Sequence, residues 1–440
     1  MSEYRSKVHV NYHIYTVKDA KEMFKDRDLY IWGAGQKGRG FLKALQRNGF
    51  KIKAFLDSSP LLIGTTYENI PILNPMDILE NKKLLNNAFI LTASVDKKNK
   101  EMFKICENYG LKKGKDFINI QKFTPYYPVI EISGICNLRC ISCPRGDFRN
   151  RFKKSGFMSV DDYKKVIEKL IKEMPFLYLV DLYVWGDPLL HPELDKIITI
   201  NNEYGIASGI STNLNYGKYL ENIIKARPPQ IRVSVSGYGP EHYEITHTGG
   251  KWETFYNNLL KLHKYIEEYK TNTIVEVYFH VNKINIDEYY KVKELCDRLG
   301  FRLNSTISMV FPDYALEYVE TGKLPENAKK GAELMLVSLD EMLEDARQEK
   351  EKDCLLKRIV PVINWDLSVM PCCNYIYRNL ADNYLEISFE EILKAREEHP
   401  LCKTCQKHAL HRYFNPLYYT ELVEKKIKEH IKITKGENNA

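Results

Sequence analysis

The sequence lacks long hydrophobic runs. No stretch of roughly eighteen apolar residues occurs, and the first ten residues, MSEYRSKVHV, lack the apolar core of a secretory signal. The charge is also close to balanced, because a net charge of +7 over 440 residues is only a weak indication of an anionic partner. We therefore expect a cytoplasmic globular protein of two or three domains, with neither a membrane nor a nucleic acid as partner.

Cysteine is scarce too, with ten in the chain, but most of these residues fall in clustered motifs. In a reducing cytosol such clustering indicates metal ligation rather than disulfides. Cys136, Cys140 and Cys143 are spaced C-x3-C-x2-C, and three thiolates can hold an iron–sulfur cube whose fourth iron stays open to an outside ligand. A zinc site or buried structural cysteines are the alternative, although zinc usually takes four ligands from paired motifs.

The segment CNLRCISC resembles the cluster-binding loop of the radical S-adenosylmethionine (SAM) superfamily. The resemblance implies a [4Fe-4S] cluster whose open iron binds SAM, and reductive cleavage of SAM to a 5′-deoxyadenosyl radical that abstracts hydrogen from a substrate. It also implies reduced flavodoxin or ferredoxin as the electron donor. Ser142 departs from the family pattern, which usually has a bulky residue near the adenine at this position.

Residues 1–122 carry the pattern strand, glycine turn, helix, strand and acid. Gly33, Gly35 and Gly38 form G-x-G-x-x-G after the strand DLYIW, and Asp57 follows nineteen residues later. Such glycines let the backbone approach a phosphate, and the acid suits a ribose hydroxyl. The segment resembles the Rossmann-like domain of some sugar-nucleotide modifying enzymes, which implies a nucleotide or sugar-nucleotide site. A docking domain with an empty pocket is the alternative.

Residues 123–312 alternate strand and helix patterns through six β/α units, which predicts a parallel sheet covered by helices and an α/β fold class. Ser159 and Asp162 suit the N-terminal cap of one of these helices. The family resemblance makes the sheet a partial (β/α)6 barrel. Sites in such barrels lie at the carboxyl ends of the strands.

Several residues at those strand ends match family positions that contact SAM. The segment WGDP resembles the Gly-Gly-Glu-Pro motif that holds the SAM amino group, with Trp185 and Asp187 departing from the usual Gly and Glu. By the same resemblance, the cofactor-binding positions are Gly186, Asp187, Pro188, Ser211, Asn213 and Ser234. A strand-end cap is the alternative for any one of the polar residues.

Polar residues at every second strand position should point into the lumen, because the outer faces must be apolar to pack on helices. These residues are Glu131, Ser133, Asp181, Tyr183, Arg232, Ser234, Ser236, Glu276, Tyr278, His280 and Asn282. Leaving such groups unpaired against an apolar ligand would cost about 1–3 kcal/mol each, so a small hydroxylated or charged substrate is expected. Arg232 and His280 are the candidate catalytic side chains. A satisfied interior pair is the alternative for His280 or Glu276 taken singly.

Residues 313–440 carry a second set of cysteines, spaced C-x17-C and C-x2-C: Cys354, Cys372, Cys402 and Cys405. Four thiolates complete the shell of a cluster, although they suit zinc equally well. The set resembles the "twitch" form of the auxiliary-cluster (SPASM) extension of radical SAM enzymes, a small α+β domain. His411 stands where the longer form has its next cysteine, and Leu367 replaces its hairpin glycine. We predict one auxiliary [4Fe-4S] cluster, with Cys373 as bystander or alternative ligand.

These features together predict a radical SAM oxidoreductase of a sugar, aminocyclitol or sugar nucleotide. Dehydrogenation fits best, because an auxiliary cluster could accept an electron from the substrate radical. Epimerisation is the near alternative, in which a thiol such as Cys296 or Cys373 returns a hydrogen atom. Peptide modification is a second enzyme class. A two-cluster electron carrier would leave the open iron and the Asp187 loop unexplained.

Overall fold

The structure, a computed structural model, describes residues 14–94, 96–146, 155–375, 379–413, 425–426 and 428–430. Residues 1–10, which lack the apolar core of a secretory signal, lie outside these described residues. The chain forms two compact units: residues 1–126 with 167–179 and 201–207, and residues 127–166 with 180–200 and 208–440. None of the described helices is long and apolar enough to cross a membrane. The three-domain division remains a prediction.

The first unit contains a six-stranded sheet in the order β3-β4-β2-β1-β5-β6, parallel except for the β3–β4 pair. Both faces of β1 are buried, because Leu29 and Ile31 pack in one core and Tyr30 and Trp32 in another. The strands are Asp28–Trp32 (β1), Ala54–Leu56 (β2), Thr66–Tyr67 (β3), Ile70–Leu73 (β4), Ala88–Thr92 (β5) and Phe117–Asn119 (β6). The helices among them are Val17–Met23, Gln36–Arg47, Pro75–Leu79, Lys82–Leu85 and Asp96–Asn108.

The second sheet has eight strands in the order β12-β11-β10-β9-β8-β7-β13-β14. In the part of the chain that the structure describes, β12 and β14 are its edges, so the sheet is open, and the predicted α/β class is confirmed. Its strands are Val129–Ile130 (β7), Leu179–Asp181 (β8), Ala207–Thr212 (β9), Gln230–Val235 (β10), Ile274–Val281 (β11), Arg302–Ile307 (β12), Val362–Ile363 (β13) and Val369–Met370 (β14).

Six helices follow the strands β7 to β11 along the chain. They are Val160–Glu173, Leu194–Glu203, Leu220–Lys225, Pro240–Thr246, Trp252–Glu268 and Tyr289–Leu299. The predicted cap is confirmed for the first, since the Asp162 amide donates to Ser159 Oγ at 3.0 Å and the Ser159 hydroxyl donates to the Asp162 carboxylate at 2.8 Å. After β12 come Pro312–Thr321, Glu326–Glu333, Leu339–Gln348, Leu355–Ile359, Phe389–Glu398, Pro400–Lys407 and Leu410–Tyr413.

Burial alternates along the central strands as the polar pattern predicts. On β11 the side chains of Val275, Val277 and Phe279 are buried, and the polar residues between them point to the other face. The parallel register places Arg232 beside Glu276 on the neighbouring strand, and Ser234 beside Tyr278. The polar side chains of β10 and β11 therefore share one face of the sheet.

The β13–β14 hairpin extends this sheet, because β13 pairs in parallel with β7 and antiparallel with β14. Its turn holds Leu367 at φ +69°, in the left-handed region. The amide of Leu367 donates to Asn364 O at 2.9 Å, and its carbonyl accepts from Tyr384 N at 2.8 Å. The left-handed backbone explains why a glycine is usual at this position.

Replacing Leu367 by glycine should therefore stabilise the folded protein. A non-glycine residue in this conformation costs roughly 1–2 kcal/mol, and the half-buried leucine side chain offsets part of that cost. We expect a gain of about 1 kcal/mol, measured as a higher midpoint in thermal or urea unfolding. Leu367→Ala is the control, since it removes the side chain but keeps the Cβ. Equal stability of the two variants would contradict the strain argument.

Candidate active site

The loop after β7 brings Cys136, Cys140 and Cys143 together, each half-buried. Burial raises the pKa of all three thiols, that of Cys136 to about 12, and repulsion among the three charges raises the pKa of Cys140 further. A gathering of thiols that resist ionisation fits a metal centre, because bound iron supplies the positive charge that thiolates need. The loop is held by backbone bonds from Arg139 N to Thr248 O and from Cys143 N to Cys140 O, at 2.8 and 3.1 Å.

Glu131 anchors the WGDP segment beside this loop. Its buried carboxylate accepts hydrogen bonds from the amides of Trp185 and Gly186, at 2.7 and 2.8 Å, through a single oxygen. Desolvation raises the pKa of Glu131. A Cβ at Gly186 would lie 1.7 Å from the carbonyl oxygen of Ser133, so only glycine fits there. The sequence placed Glu131 in the lumen but gave no sign of this anchoring role.

Asp187 connects the segment after β8 to the end of β9 by hydrogen bonds. Its carboxylate accepts the Thr212 hydroxyl at 2.9 Å to each oxygen, the Asn213 amide at 2.9 Å and the Leu189 amide at 3.0 Å. Burial raises its pKa to about 6, against the effect of these donors. Both oxygens are thus occupied by protein donors. The SAM contact of Asp187 stays a prediction, whereas its role in positioning the β9 turn follows from these bonds.

Asn213 lies next to the cysteine loop. Its side-chain amide donates to Asn137 Oδ1 at 3.0 Å and lies 3.7 Å from Cys136 Sγ, while its Oδ1 accepts the Asn215 amide at 2.8 Å. Ser211 and Ser234 lie half-buried on β9 and β10, on the polar face, and Ser211 is beside Arg232 in register. Pro188 opens the short turn Pro188–Leu190. Their contacts with SAM remain predictions.

The lumen holds a buried acid that sequence reasoning did not single out as catalytic. Asp181 ends β8 with 7% of its surface exposed and accepts the hydroxyls of Tyr127 and Tyr183. Desolvation raises its pKa to about 6, although these hydroxyls and the charge of Arg232 oppose the shift. Gly209 leaves room for the carboxylate, because a Cβ there would lie 1.9 Å from Asp181 Oδ1.

Arg232 and His280, the two predicted catalytic side chains, lie in the same lumen. The Arg232 guanidinium stacks 3.7 Å above the Tyr278 ring. Burial and the nearby charge of Arg232 lower the pKa of His280 to about 3, so this imidazole is neutral at working pH. Arg232 Nε and His280 Nε2 are buried and have no hydrogen-bond partner among the described residues. These two nitrogens are available to a polar ligand.

The four cysteines of the second set line one cavity, together with Lys357, Tyr375 and His411. They reach it from the start of Leu355–Ile359, from the end of β14, and from one face of Pro400–Lys407. Burial raises the pKa of Cys354 to about 12, and repulsion among the thiols adds to the shift. This donor set fits a thiolate-ligated centre. Within the described ranges, no group of three or more His, Cys, Asp or Glu side chains already has the arrangement that holds a metal ion.

In the epimerase alternative, Cys373 or Cys296 returns the hydrogen atom. Cys373 contacts Cys372 but packs on an apolar layer with Val129, Trp185 and Met370, a layer that Cys143 also touches. Cys296 lies on the buried face of the helix Tyr289–Leu299. That helix packs on β11, whose buried side faces away from the polar lumen residues.

In the N-terminal glycine turn, Gly33 has φ +117°, and a Cβ at Gly38 would lie 1.9 Å from Gly33 O. Gly35 caps the helix Gln36–Arg47. The Asp57 carboxylate accepts Ala34 N at 2.8 Å and Ser59 N at 2.9 Å, so it holds the turn in place. The predicted nucleotide contacts of these four residues remain predictions.

Residues 130–282 match the model of the radical SAM superfamily. This range contains the first cysteine loop, the WGDP segment and β8 to β11. No curated protein matches the chain.

Similar solved structures include BtrN in complex with AdoMet and 2-DOIA, at 15% identity and a TM-score of 0.37, over 64% of this chain and 85% of that one. SuiB of Streptococcus suis bound to S-adenosylmethionine has 14% identity and a TM-score of 0.43, over 71% and 74% of the two chains. Native anSMEcpe with bound AdoMet has 16% identity and a TM-score of 0.41, over 66% and 89%. Likenesses at this level assign neither substrate nor reaction.

Proposed function

We propose that this chain, whose residues 130–282 match the radical SAM superfamily model, is an enzyme that dehydrogenates a small hydroxylated substrate in the lumen beside Asp181. The observation that supports this most is the pairing of a buried acid of raised pKa with a stacked arginine on the polar face of the sheet. When bound, SAM and a cluster on Cys136, Cys140 and Cys143 supply removal of a hydrogen atom from carbon, and a second cluster, on the four-cysteine cavity, supplies an acceptor for one electron.

The chain itself must then remove the hydroxyl proton, since a hydroxylated carbon becomes a ketone only when that proton leaves. Arg232 is a cation and cannot act as a base, and His280, with a pKa of about 3, is a weak one. Asp181 is ionised above its pKa of about 6, a value near working pH that suits a general base. The free Nε–H of Arg232 can donate to the substrate oxygen as that oxygen gains charge.

The polar lumen also supports the proposed substrate class. A sugar, aminocyclitol or sugar nucleotide offers hydroxyl groups to both free nitrogens, whereas an apolar ligand would leave them buried and unpaired. Epimerisation would need a hydrogen donor facing the lumen. Cys296 faces away from the lumen, and Cys373 packs in an apolar layer, so neither thiol favours that alternative.

Anaerobic incubation with SAM, a reductant and a panel of sugars, aminocyclitols, sugar nucleotides and peptides tests the proposal. We expect one of the first three classes to yield a product that has lost two hydrogens, with one 5′-deoxyadenosine formed per product. A product of unchanged mass that carries solvent deuterium at carbon would identify an epimerase. Turnover of peptides alone would identify a maturase and overturn the proposal.

Turnover should depend on pH through Asp181. Its pKa is raised, so the carboxylate that accepts the proton exists above about pH 6 and is lost as the pH falls through that value. Product formation should therefore decline below about pH 6, approaching tenfold per pH unit. Tyr183→Phe removes a hydroxyl that lowers this pKa and should move the decline to higher pH. An unchanged profile in Tyr183→Phe would contradict the assignment.

A further inference from the structure

Arg396 is a buried cation with no buried anion to match it. It lies on the helix Phe389–Glu398, with none of its surface exposed. Its guanidinium donates to the carbonyl oxygens of Lys357, Val360 and Met370, at 3.0, 2.7 and 3.5 Å. Across the described part of the chain no carboxylate forms an ion pair with it, and its Nε has no hydrogen-bond partner.

Arg396 lies close to the four-cysteine cavity, because it donates to the carbonyl of Lys357, a residue that lines that cavity. Its electrostatic partners are Cys372, Cys402, Cys373 and Cys354, three of which line the four-cysteine cavity. Lys357 is almost fully buried, and the carboxylate of Glu397 is shared between Lys357 and Arg358. Arg358 also pairs with Asp353, so the two carboxylates of this cluster are matched by Lys357 and Arg358, and the charge of Arg396 stays without a carboxylate partner among the described residues.

An unmatched buried charge is expensive, because desolvation costs several kcal/mol that carbonyl dipoles repay only in part. Neutral thiols would not offset the desolvation cost of the buried arginine. A centre ligated by four thiolates carries net negative charge, and for an iron–sulfur cluster this charge grows by one on reduction. The buried arginine would thus stabilise the centre in general, and its reduced state most.

We propose that Arg396 is the built-in counter-cation of an anionic thiolate centre held by Cys354, Cys372, Cys402 and Cys405, and that it raises the reduction potential of this centre. Its Nε–H is a further donor available to sulfur, and hydrogen bonds to sulfur also raise such potentials. The inference rests on the second cluster of the proposed function. It explains how this centre could take an electron from a substrate radical, because a higher potential makes it a better acceptor.

Redox titration of the holoenzyme followed by electron paramagnetic resonance tests the proposal. Arg396→Gln should keep the second cluster but disfavour its reduction at least tenfold, a fall of about 59 mV for a one-electron couple. Arg396→Lys keeps the charge and should stay closer to wild type. A potential unchanged in Arg396→Gln, with both clusters present, would overturn the assignment.

Thermal unfolding supplies a second readout, which does not require an Arg396→Gln variant with its clusters bound. In the metal-free full chain, Arg396→Met removes an unmatched charge and should leave the unfolding midpoint unchanged or higher. After reconstitution, the same substitution should lower it. A purely structural arginine, which only fixes carbonyl groups, would lower the midpoint in both states, and that result would refute the inference.

Iron and zinc analysis of the wild-type protein separates this inference from the proposed function. Zinc in the four-cysteine cavity would show that this centre cannot accept an electron. Arg396 would still be supported as counter-cation if Arg396→Met lowered the unfolding midpoint only in the metal-loaded protein. A cavity that binds neither iron nor zinc would overturn both.

Discussion

Changing Cys136, Cys140 and Cys143 together to alanine should abolish cleavage of SAM to 5′-deoxyadenosine. The structure gathers these three thiols in one loop, and burial with mutual repulsion raises their pKa values, so each depends on bound metal for its thiolate form. Anaerobically reconstituted wild-type protein should hold about eight irons, two cubes of four, and the triple variant about half of that.

The matched control is Cys106→Ala together with Cys296→Ala, since both residues are buried cysteines outside the two motifs. Their removal should leave the iron content and SAM cleavage near wild-type values. Continued SAM cleavage by the triple variant would contradict the assignment of the first cluster. About four irons with one zinc in the wild type would leave that assignment intact and contradict the second cluster.

Asp181→Asn should reduce product formation by about 10²–10⁴-fold, the usual contribution of a general base. The substitution keeps the shape of the side chain in the space that Gly209 leaves open, but removes the site that accepts the proton. SAM cleavage should continue, because among the described residues Asp181 has no hydrogen bond to the cysteine loop or to the Asp187 network. Rates of product and 5′-deoxyadenosine formation, measured together, would show this uncoupling.

Two controls sharpen the Asp181 experiment. Glu276→Gln changes another acid of the same polar face, one that already accepts a hydrogen bond from Gln230 at 2.6 Å, and should have a smaller effect. His280→Asn tests the runner-up base. If His280→Asn lost as much activity as we expect for Asp181→Asn, and Asp181→Asn retained wild-type turnover, the roles of these residues would be exchanged.

The sequence predicted those features of the site that depend on local spacing. C-x3-C-x2-C and C-x2-C place thiols within one loop or on one helix face whatever surrounds them. The alternation on β10 and β11 likewise fixes which side chains share a face. For the same reason the positions of Arg232 and His280 in a common lumen could be predicted before any contact was known.

The features that the sequence did not reveal depend on packing between distant segments. Glu131 binds amides 54 and 55 positions away, and Asp187 binds Thr212 and Asn213, 25 and 26 positions away. The sequence alone does not show which backbone amides a given carboxylate will bind. Arg396 is similar, because its neighbours in KAREEH suggest an exposed helix face, whereas contacts with Lys357, Val360 and Met370 bury it.

The most direct test of the central claim is a single isotope experiment on a substrate from the panel, deuterated at the carbon that is oxidised. We predict that the deuterium appears in 5′-deoxyadenosine and that the wild-type enzyme forms one ketone for each 5′-deoxyadenosine. Asp181→Asn should form the ketone at least a hundredfold more slowly. A product that regains a solvent hydrogen at the labelled carbon, or 5′-deoxyadenosine free of deuterium, would contradict dehydrogenation in this lumen.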